Sequence, residues 1–480
     1  MDISGNIQAF PNLGIHANSM EAYQLLHEGT LALVDAEEAG IRIDMDYCNG
    51  AIEELNVKIS GLEELFYQSK FYKRWFLHNR KKKPNINSDT QLGKYIYDVL
   101  RIEPVKYTEK ENPSTDEEAL KALNIPELTT LLEIRRFTKA RDTYLQAFIR
   151  EQVDGFIHPS FNLHLVKTFR SSSDSPNFQN IPKRDEEIKK LVRKALKPRK
   201  GHLLMEVDYS GIEVRIAACY HKDPKMLKYI KDPQSDMHGD MAEQIYEIPD
   251  FNKSIKEHSY LRSASKNGFV FPQFYGDYFK NCALALACSW GGLPKNGKWG
   301  KGQGVLIDKE NNIHLSDHLI SKKLGSLDKF TKHLQKIEDH FWNVRFPVYK
   351  KWKDKLWYQY QKTGYIDSLT GFRYTGLMGK NDAINYPVQG SAFHCLLWSL
   401  IRLNLYLQHH KMETRIIGQI HDAIVLDVHP SEKKLIIQVL KSIMCDQLTQ
   451  EWKWINVPIE VEIDAGEVDA SWAELKTIKI

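Results

Sequence analysis

Two apolar, strand-like runs each carry an aspartate, and they limit what this chain can fold into. Leu203-Leu204-Met205-Glu206-Val207 leads straight into Asp208, and the runs 416–419 and 423–428 flank Asp422. Runs this apolar belong inside a sheet. A carboxylate in such a place loses hydration and is tolerated when it is paired or bound to a cation. If the two runs are neighbours, the carboxylates repel each other, and divalent cations relieve that repulsion. A turn or cap is the ordinary alternative for either aspartate taken alone.

Most of the remaining pattern is helical. From Ser19 to Gly40 the apolar residues Leu25, Leu26, Leu31, Leu33 and Val34 recur at helical spacing, and Gly40 is a stop. Ile41-Arg42-Ile43-Asp44 alternates as a short strand. From 46 to about 147 helix dominates, with starts at Asn87-Ser88-Asp89 and at 113–118, where Ser or Thr caps precede acids. Residues 216–290 read as helix, 291–313 as an exposed Gly, Lys and Asn-rich loop, and 327–363 as one long helix. A helix near 431–451 and a last strand around 457–463 follow. The expected class is α+β, with a small antiparallel sheet, much helix and no internal repeat. A chain of 480 residues exceeds the roughly 250–300 that one core supports, so two or more subdomains are expected.

Charged residues are 27% and hydrophobic ones 42%, as in ordinary soluble proteins, and the net charge of +4 neither demands nor excludes a polyanion. The six cysteines form no CxxC pair, which argues against structural zinc and a disulfide framework. The start MDISGNIQAF lacks a signal-peptide pattern. No apolar run approaches the roughly 20 residues of a membrane span. The chain reads as cytoplasmic.

Two cation clusters stand beside aromatics. Lys73, Arg74, His78, Arg80, Lys81, Lys82 and Lys83 interleave with Phe71, Tyr72, Trp75 and Phe76, a pattern that suits either a phosphate-contacting arm or a solvated loop. Arg262 and Lys266 share a helix face. His258 and the aromatics Phe269, Phe271, Phe274 and Tyr275 bound that segment; two such cations ordinarily mark a solvated face, but beside aromatics they would suit a nucleotide's phosphates and base.

At these residues the chain resembles family A DNA polymerases, the DNA polymerase I type, from about Ala22 to Leu475. Asp208-Tyr209-Ser210-x-x-Glu213-x-Arg215 looks like motif A, and Arg262-x-x-x-Lys266 through Tyr275-Gly276 looks like motif B. Gln419-Ile420-His421-Asp422 looks like motif C. The segment from Thr168-Phe169-Arg170 to Asn180-Ile181-Pro182 is similar to the family's primer–template binding segment. The four occur in the family's order.

The resemblance implies a right-hand polymerase fold. Residues 1–45 would form an N-terminal segment and the start of the palm, 46–149 the thumb, and 150–215 the palm with motif A. Residues 216–364 would form the fingers with motif B, and 365–480 the palm with motif C. It implies template-directed addition of deoxynucleotides to a primer 3′ end, with release of pyrophosphate. Asp208 and Asp422 would ligate two Mg²⁺ ions (Mn²⁺ may substitute), with the backbone carbonyl of Tyr209 as a further ligand. Arg262, Lys266 and His238 would grip the triphosphate, with Lys266 as the acid for pyrophosphate. Glu213 would sit under the sugar and exclude a 2′-hydroxyl. Arg170, Asn177, Gln179, Asn180, Asn385, Gln389 and His421 would contact primer, template or the nascent pair. Primer–template DNA and deoxynucleoside triphosphates are the implied partners, with a separate exonuclease or processivity factor beyond them and no membrane.

The chain departs from the family pattern at several places. Motif B has one residue more than usual between Lys266 and Tyr275, and Pro272, which disfavours helix at Phe271, lies inside. Counting from Lys266 favours Phe269 as the family's aromatic; counting back from Tyr275 favours Phe271. Members with Phe there tend to reject dideoxynucleotides and those with Tyr accept them, and both candidates here are Phe. Asn381 and Phe372 stand where the family has Arg, Phe169 where it has Gly, and Ala423 where it has Glu. Neither a 5′ nuclease nor a proofreading domain is expected in this chain. Compact members of this kind are common in phages, which points to a phage or other mobile-element origin. The alternatives are a specialised repair or translesion polymerase and a catalytically impaired nucleic-acid-binding relative.

Overall fold

The computed structural model describes residues 19–478 apart from 109, 184, 250, 253 and 291–295. The expected N-terminal segment up to residue 18, and the first part of the expected 291–313 loop, lie outside the described residues. The chain divides into two compact units. One comprises the chain up to Glu53 with Ala140–Asp232 and Val348–Ile480, the other Glu54–Lys139 with Pro233–Pro347.

The first unit is built on a five-stranded sheet. Its strands are β1 (Leu203–Tyr209), β2 (Arg415–Ile420), β3 (Ala423–Val428), β4 (Val461–Ala465) and β5 (Lys476–Ile478). Their order is β2-β3-β1-β4-β5, and every pairing is antiparallel. β1 is central, and every residue in it is buried except Asp208. This explains why its sequence does not alternate: a strand flanked on both edges and covered on both faces has no solvent side to alternate toward. Its one buried carboxylate, Glu206, is paired with Arg193 at 3.0 Å and accepts from Trp472 Nε1 at 2.9 Å.

Helix Lys380–His409 is buried nearly all round from Ala383 to Leu403, as expected of a helix apolar on every face. Helix Ser19–Ala39 lies against it and against β2. Gly29 sets how closely those two helices approach, because a Cβ there would come within 2.7 Å of Leu397 Cδ1. A separate small sheet places Ile41–Ile43 between Phe156–Ile157 and Leu196–Lys197.

The second unit is helical. Helices Phe279–Ser289 and Leu327–His340 pack together, as do Met237–Tyr246 and Lys256–Ser265. Its centre is aromatic: Phe269, Phe274, Trp342 and Phe346 surround Phe341 at ring separations of 5.6, 5.7, 5.0 and 4.9 Å.

Four local expectations need correction. The helix expected over 327–363 is broken at Phe346 (φ −126°, ψ 53°), because the residue before Pro347 is driven out of the helical region. The strand expected last, around 457–463, begins at Val461 and is followed by another, Lys476–Ile478, that pairs with it; Val457 and Ile459 are buried but lie outside the ladder. The 291–313 stretch is not simply an exposed loop. Trp299 is buried and stacks on Trp290 at 5.2 Å, and Leu306–Asp308 pairs with Ile313–His314. The helix starting at Glu117 is capped by Asp116 rather than by Ser or Thr. Among the described residues no helix is long and apolar enough to cross a membrane.

Candidate active site

Asp208 sits at the penultimate position of β1, opposite Ala423 on one side and Glu462 on the other. Asp422 lies in the two-residue turn between β2 and β3. That turn needs a left-handed residue, which His421 supplies at φ 51°. The Tyr209 backbone N–H donates to the Asp422 carbonyl at 3.1 Å, so the turn is pinned beside the end of β1. Just beyond, Gly211 (φ 60°) redirects the chain into helix Ile212–His221, with Glu213 in its first turn.

These carboxylates share two cations. Arg170 Nη1 donates to Glu213 at 3.1 Å, and its Nη2 lies 3.7 Å from Asp422. Lys183 Nζ donates to Asp208 Oδ2 at 2.8 Å. Burial above all pushes the Asp422 carboxyl up to about 6; Arg170 draws it back, Glu213 and Asp208 push it further, and Lys183 lowers it. Burial draws the Lys183 ammonium down, but Asp208's charge and hydrogen bond outweigh it, leaving it above its ordinary value. The site therefore carries negative charge that seeks cations. Among the described residues no three His, Cys, Asp or Glu form a closed metal cage.

The segment holding Arg170 is tied to the same turn. Gln179 Nε2 donates to Ser171 Oγ (2.7 Å) and Gln419 Oε1 (2.6 Å), Ser171 Oγ donates to Gln419 Oε1 (2.6 Å), and Gln419 Nε2 donates to the His421 carbonyl. Asn177 caps the short turn Phe178–Asn180, accepting from Asn180 N at 3.2 Å. Asn385 and Gln389, both part-buried, stand one turn apart on a single face of Lys380–His409. Two departures from the family pattern meet here. Phe169 holds the left-handed conformation (φ 56°), and its ring packs on Phe372 at 4.9 Å. Phe372 in turn stacks on His394 at 3.9 Å.

The second unit assembles its own cluster. Asp236 caps helix Met237–Tyr246 and binds Arg262 Nε at 2.7 Å. His238, in the first turn of that helix, has Nδ1 buried without a hydrogen-bond partner. Burial first, then Arg262 and Lys266, hold its imidazole down at about 4, against the opposing pull of Asp236. Phe271 meets the edge of His238 at 5.8 Å and lies under Lys266 Nζ at 5.2 Å. Phe269 is instead fully buried against Phe341. Tyr275 is exposed.

A π-helical turn over Lys266–Val270 explains this. The Phe271 N–H donates to the Lys266 carbonyl five residues back, so the extra residue is absorbed and Phe271 takes the face that the fourth residue would have had. Pro272 does not exclude helix at Phe271, contrary to expectation. Phe271 is helical (φ −66°, ψ −48°) because helix Phe271–Tyr275 restarts there, and a first turn needs no proline N–H.

Sequence reasoning overlooked Lys183 and Asp236. Lys183 directly follows Asn180-Ile181-Pro182, and Asp236 stands where a cap precedes His238. Both signals were present, but a lysine after a turn is ordinarily solvated and a capping Asp ordinarily only caps.

The model of DNA polymerase family A matches residues 54–289 and 316–474. The chain is 26% identical over 451 residues to DNA polymerase I of Caldicellulosiruptor bescii, covering 92% of this chain and 46% of that protein. It is 24% identical over 431 residues to a DNA polymerase of Bacillus phage SP01, covering 86% and 43%. It thus spans less than half the length of these relatives. The polymerase domain of Pol1 from M. smegmatis, solved in complex with DNA primer-template and dNTP, superposes with a TM-score of 0.70 at 23% identity. The match covers 93% of this chain and 70% of that one, and it shows the same α+β polymerase fold. Matched by the family model over most of its length, the chain belongs to DNA polymerase family A.

Proposed function

We propose that this chain is a template-directed DNA polymerase that extends a primer 3′ end with deoxynucleotides. The observation carrying this reading is the placement of the Asp422 turn beside Asp208 at the end of β1: Asp208 stands opposite Ala423, and the Tyr209 N–H binds the Asp422 carbonyl. The relatives' names and the polymerase domain bound to primer-template support it. The carboxylate excess fits two divalent ions, Mg²⁺ or Mn²⁺, held by Asp208, Asp422 and the Tyr209 carbonyl. Bound there, they would lower the pKa of the primer hydroxyl and neutralise the leaving pyrophosphate.

The chain's own groups do the rest. Arg262, oriented by Asp236, and Lys266 bind the triphosphate, and Lys266 can deliver a proton to pyrophosphate. Neutral His238 offers a hydrogen bond, not a charge. Arg170 steadies Glu213 where a 2′-hydroxyl would intrude. Asn177, Gln179, Asn180, Asn385, Gln389 and His421 contact the nucleic acid. We assign the palm to the N-terminal strand with 150–215 and 365–480, the thumb to 46–149 and the fingers to 216–364. A cytoplasmic location follows from that role. Primer extension with dNTPs against rNTPs, on DNA and RNA templates, tests the reading. DNA-templated, dNTP-dependent extension is expected, and none at all overturns it.

Two further outcomes follow from the geometry. Phe271→Tyr should gain dideoxynucleotide use, seen as chain termination, with little change in melting. Phe269→Ala should instead cost about 3–5 kcal/mol of stability in denaturant unfolding, the usual loss for a buried aromatic. A gain of dideoxynucleotide use by Phe269→Tyr alone would reverse this assignment. Lys183→Met should tighten divalent binding severalfold, because the ammonium competes for Asp208. Titrating the protein with Mn²⁺ and following free ion by electron paramagnetic resonance checks this without reference to turnover.

A further inference from the structure

Helix Lys70–His78 in the second unit has two faces of different chemistry. Ser69 caps it, accepting from Tyr72 N at 3.1 Å. Phe71 and Trp75 turn inward onto Tyr95, at ring separations of 5.1 and 5.5 Å. The other face leaves Leu77 62% exposed, beside half-buried Phe76 and exposed Lys73 and Arg74. Lys73, Phe76 and Leu77, together with Tyr67, Tyr72 and Lys83, line a groove of about 630 Å³, within the size range of small-ligand sites.

The chain leaving the helix adds charge to the groove's rim. Arg80 and Lys81 both hold the left-handed conformation, at φ 53° and 58°. Two consecutive non-glycine residues there are uncommon and strained. Backbone bonds from Lys81 N to Phe76 O (3.1 Å) and Lys82 N to Asn79 O (3.0 Å) hold the turn, as does Asn79 Nδ2 to Lys82 O (2.9 Å). Arg80, Lys81, Lys82 and Lys83 are all exposed. Among the described residues none of Lys73, Arg74, Arg80, Lys81 and Lys82 makes an ion pair. Lys83 Nζ sits 4.6 Å over the Tyr67 ring, so a cation and an aromatic face meet at the groove itself.

We propose that this groove is an accessory site for single-stranded DNA, stacking an unpaired base on its aromatic wall while the lysines and Arg80 hold the flanking phosphates. Ring faces beside a string of unpaired cations are what sequence-tolerant single-strand binding uses. A duplex offers the cations its backbone but has no exposed base face for Tyr67, Phe76 and Leu77. An acidic protein partner would use the charges without needing the rings. The inference rests on the reading of the chain as a DNA-handling enzyme.

The test uses the full chain and a 12-nucleotide single strand carrying 5-iododeoxyuridine, which couples photochemically to aromatic side chains it stacks on. Peptide mapping should place the crosslink at Tyr67 or Phe76. The double variant Phe76→Leu/Leu77→Ser, conservative at a half-buried and an exposed position, should weaken single-strand binding about tenfold. Its salt dependence should not change, and neither should binding of a fully paired duplex. Arg80→Ala/Lys82→Ala should flatten the log–log salt slope by about 0.7 per lost phosphate contact. Crosslinks only elsewhere in the chain overturn the proposal, as does a Phe76/Leu77 variant that binds single strands normally or loses duplex and single strand equally. Extension of a primer on a template with a one-nucleotide overhang is measured alongside. Extension without the crosslink rejects the accessory site alone; no extension rejects the polymerase reading whatever the crosslink shows.

Discussion

Asp208→Asn or Asp422→Asn should reduce primer extension by about a thousandfold or more, because each removes a negative charge from the place proposed for the divalent ions that would stabilise the reacting phosphate. DNA binding should be nearly unchanged, since neither residue belongs to the basic contacts. The substitutions are close to isosteric. Asp422 is already pushed up to about 6 by burial and by Glu213 and Asp208, so a neutral amide there removes repulsion from the metal-free protein. Melting of Asp422→Asn in chelator should therefore be no lower than wild type, while Asp208→Asn gives up the Lys183 ion pair at 2.8 Å and should melt slightly lower. Extension within tenfold of wild type in either variant would remove the two-metal assignment. A collapse in melting would show that the loss of activity came from the fold.

Glu213→Ala should admit ribonucleotides. The Glu213 carboxylate is fixed by Arg170 at 3.1 Å, so it is a held obstacle and not a side chain free to swing aside. Removing it deletes the overlap with a 2′-hydroxyl, and discrimination should fall by about a hundredfold, or close to 3 kcal/mol at 1.4 kcal/mol per factor of ten. Deoxynucleotide turnover should fall by less, as Arg170 loses one partner and keeps its approach to Asp422 at 3.7 Å. Glu213→Gln, which keeps the volume, should retain most of the exclusion. Competition between dNTP and rNTP in single-turnover extension reads both. Unchanged discrimination in Glu213→Ala would mean that another group guards the sugar.

The sheet and its two aspartates were legible because β1 and β3 are mostly apolar and Asp208 and Asp422 stand at their ends, although the buried Glu206 and Asp427 within the same strands drew no notice. The helix Ser19–Ala39 and its stop at the left-handed Gly40 were legible too, but not its buried face: Leu31 and Val34 of the expected stripe are exposed, while Ala22, Gly29, Ala32 and Ala36 join Leu25 and Leu33 inside. What stayed hidden depends on contacts between distant segments. Lys183 reads as a surface lysine until Asp208 is placed 2.8 Å from it. Phe169 and Phe372 look like two separate losses, of a glycine and of an arginine, until their rings are seen packed together. The choice between Phe269 and Phe271 could not come from spacing, because spacing presumes one helical period throughout the segment.

That widened turn has a consequence for anyone moving substitutions between members of this family. A position transferred by alignment four residues beyond Lys266 lands on Val270, a fully buried side chain, while the aromatic that shares Lys266's surroundings is its neighbour. An engineered change would then perturb packing and leave nucleotide choice untouched. Removing a single residue between Lys266 and Phe271 should restore the ordinary helical period and bring the aromatic back to the family's count. The extra residue and the π-helical turn that absorbs it should thus be gained or lost together.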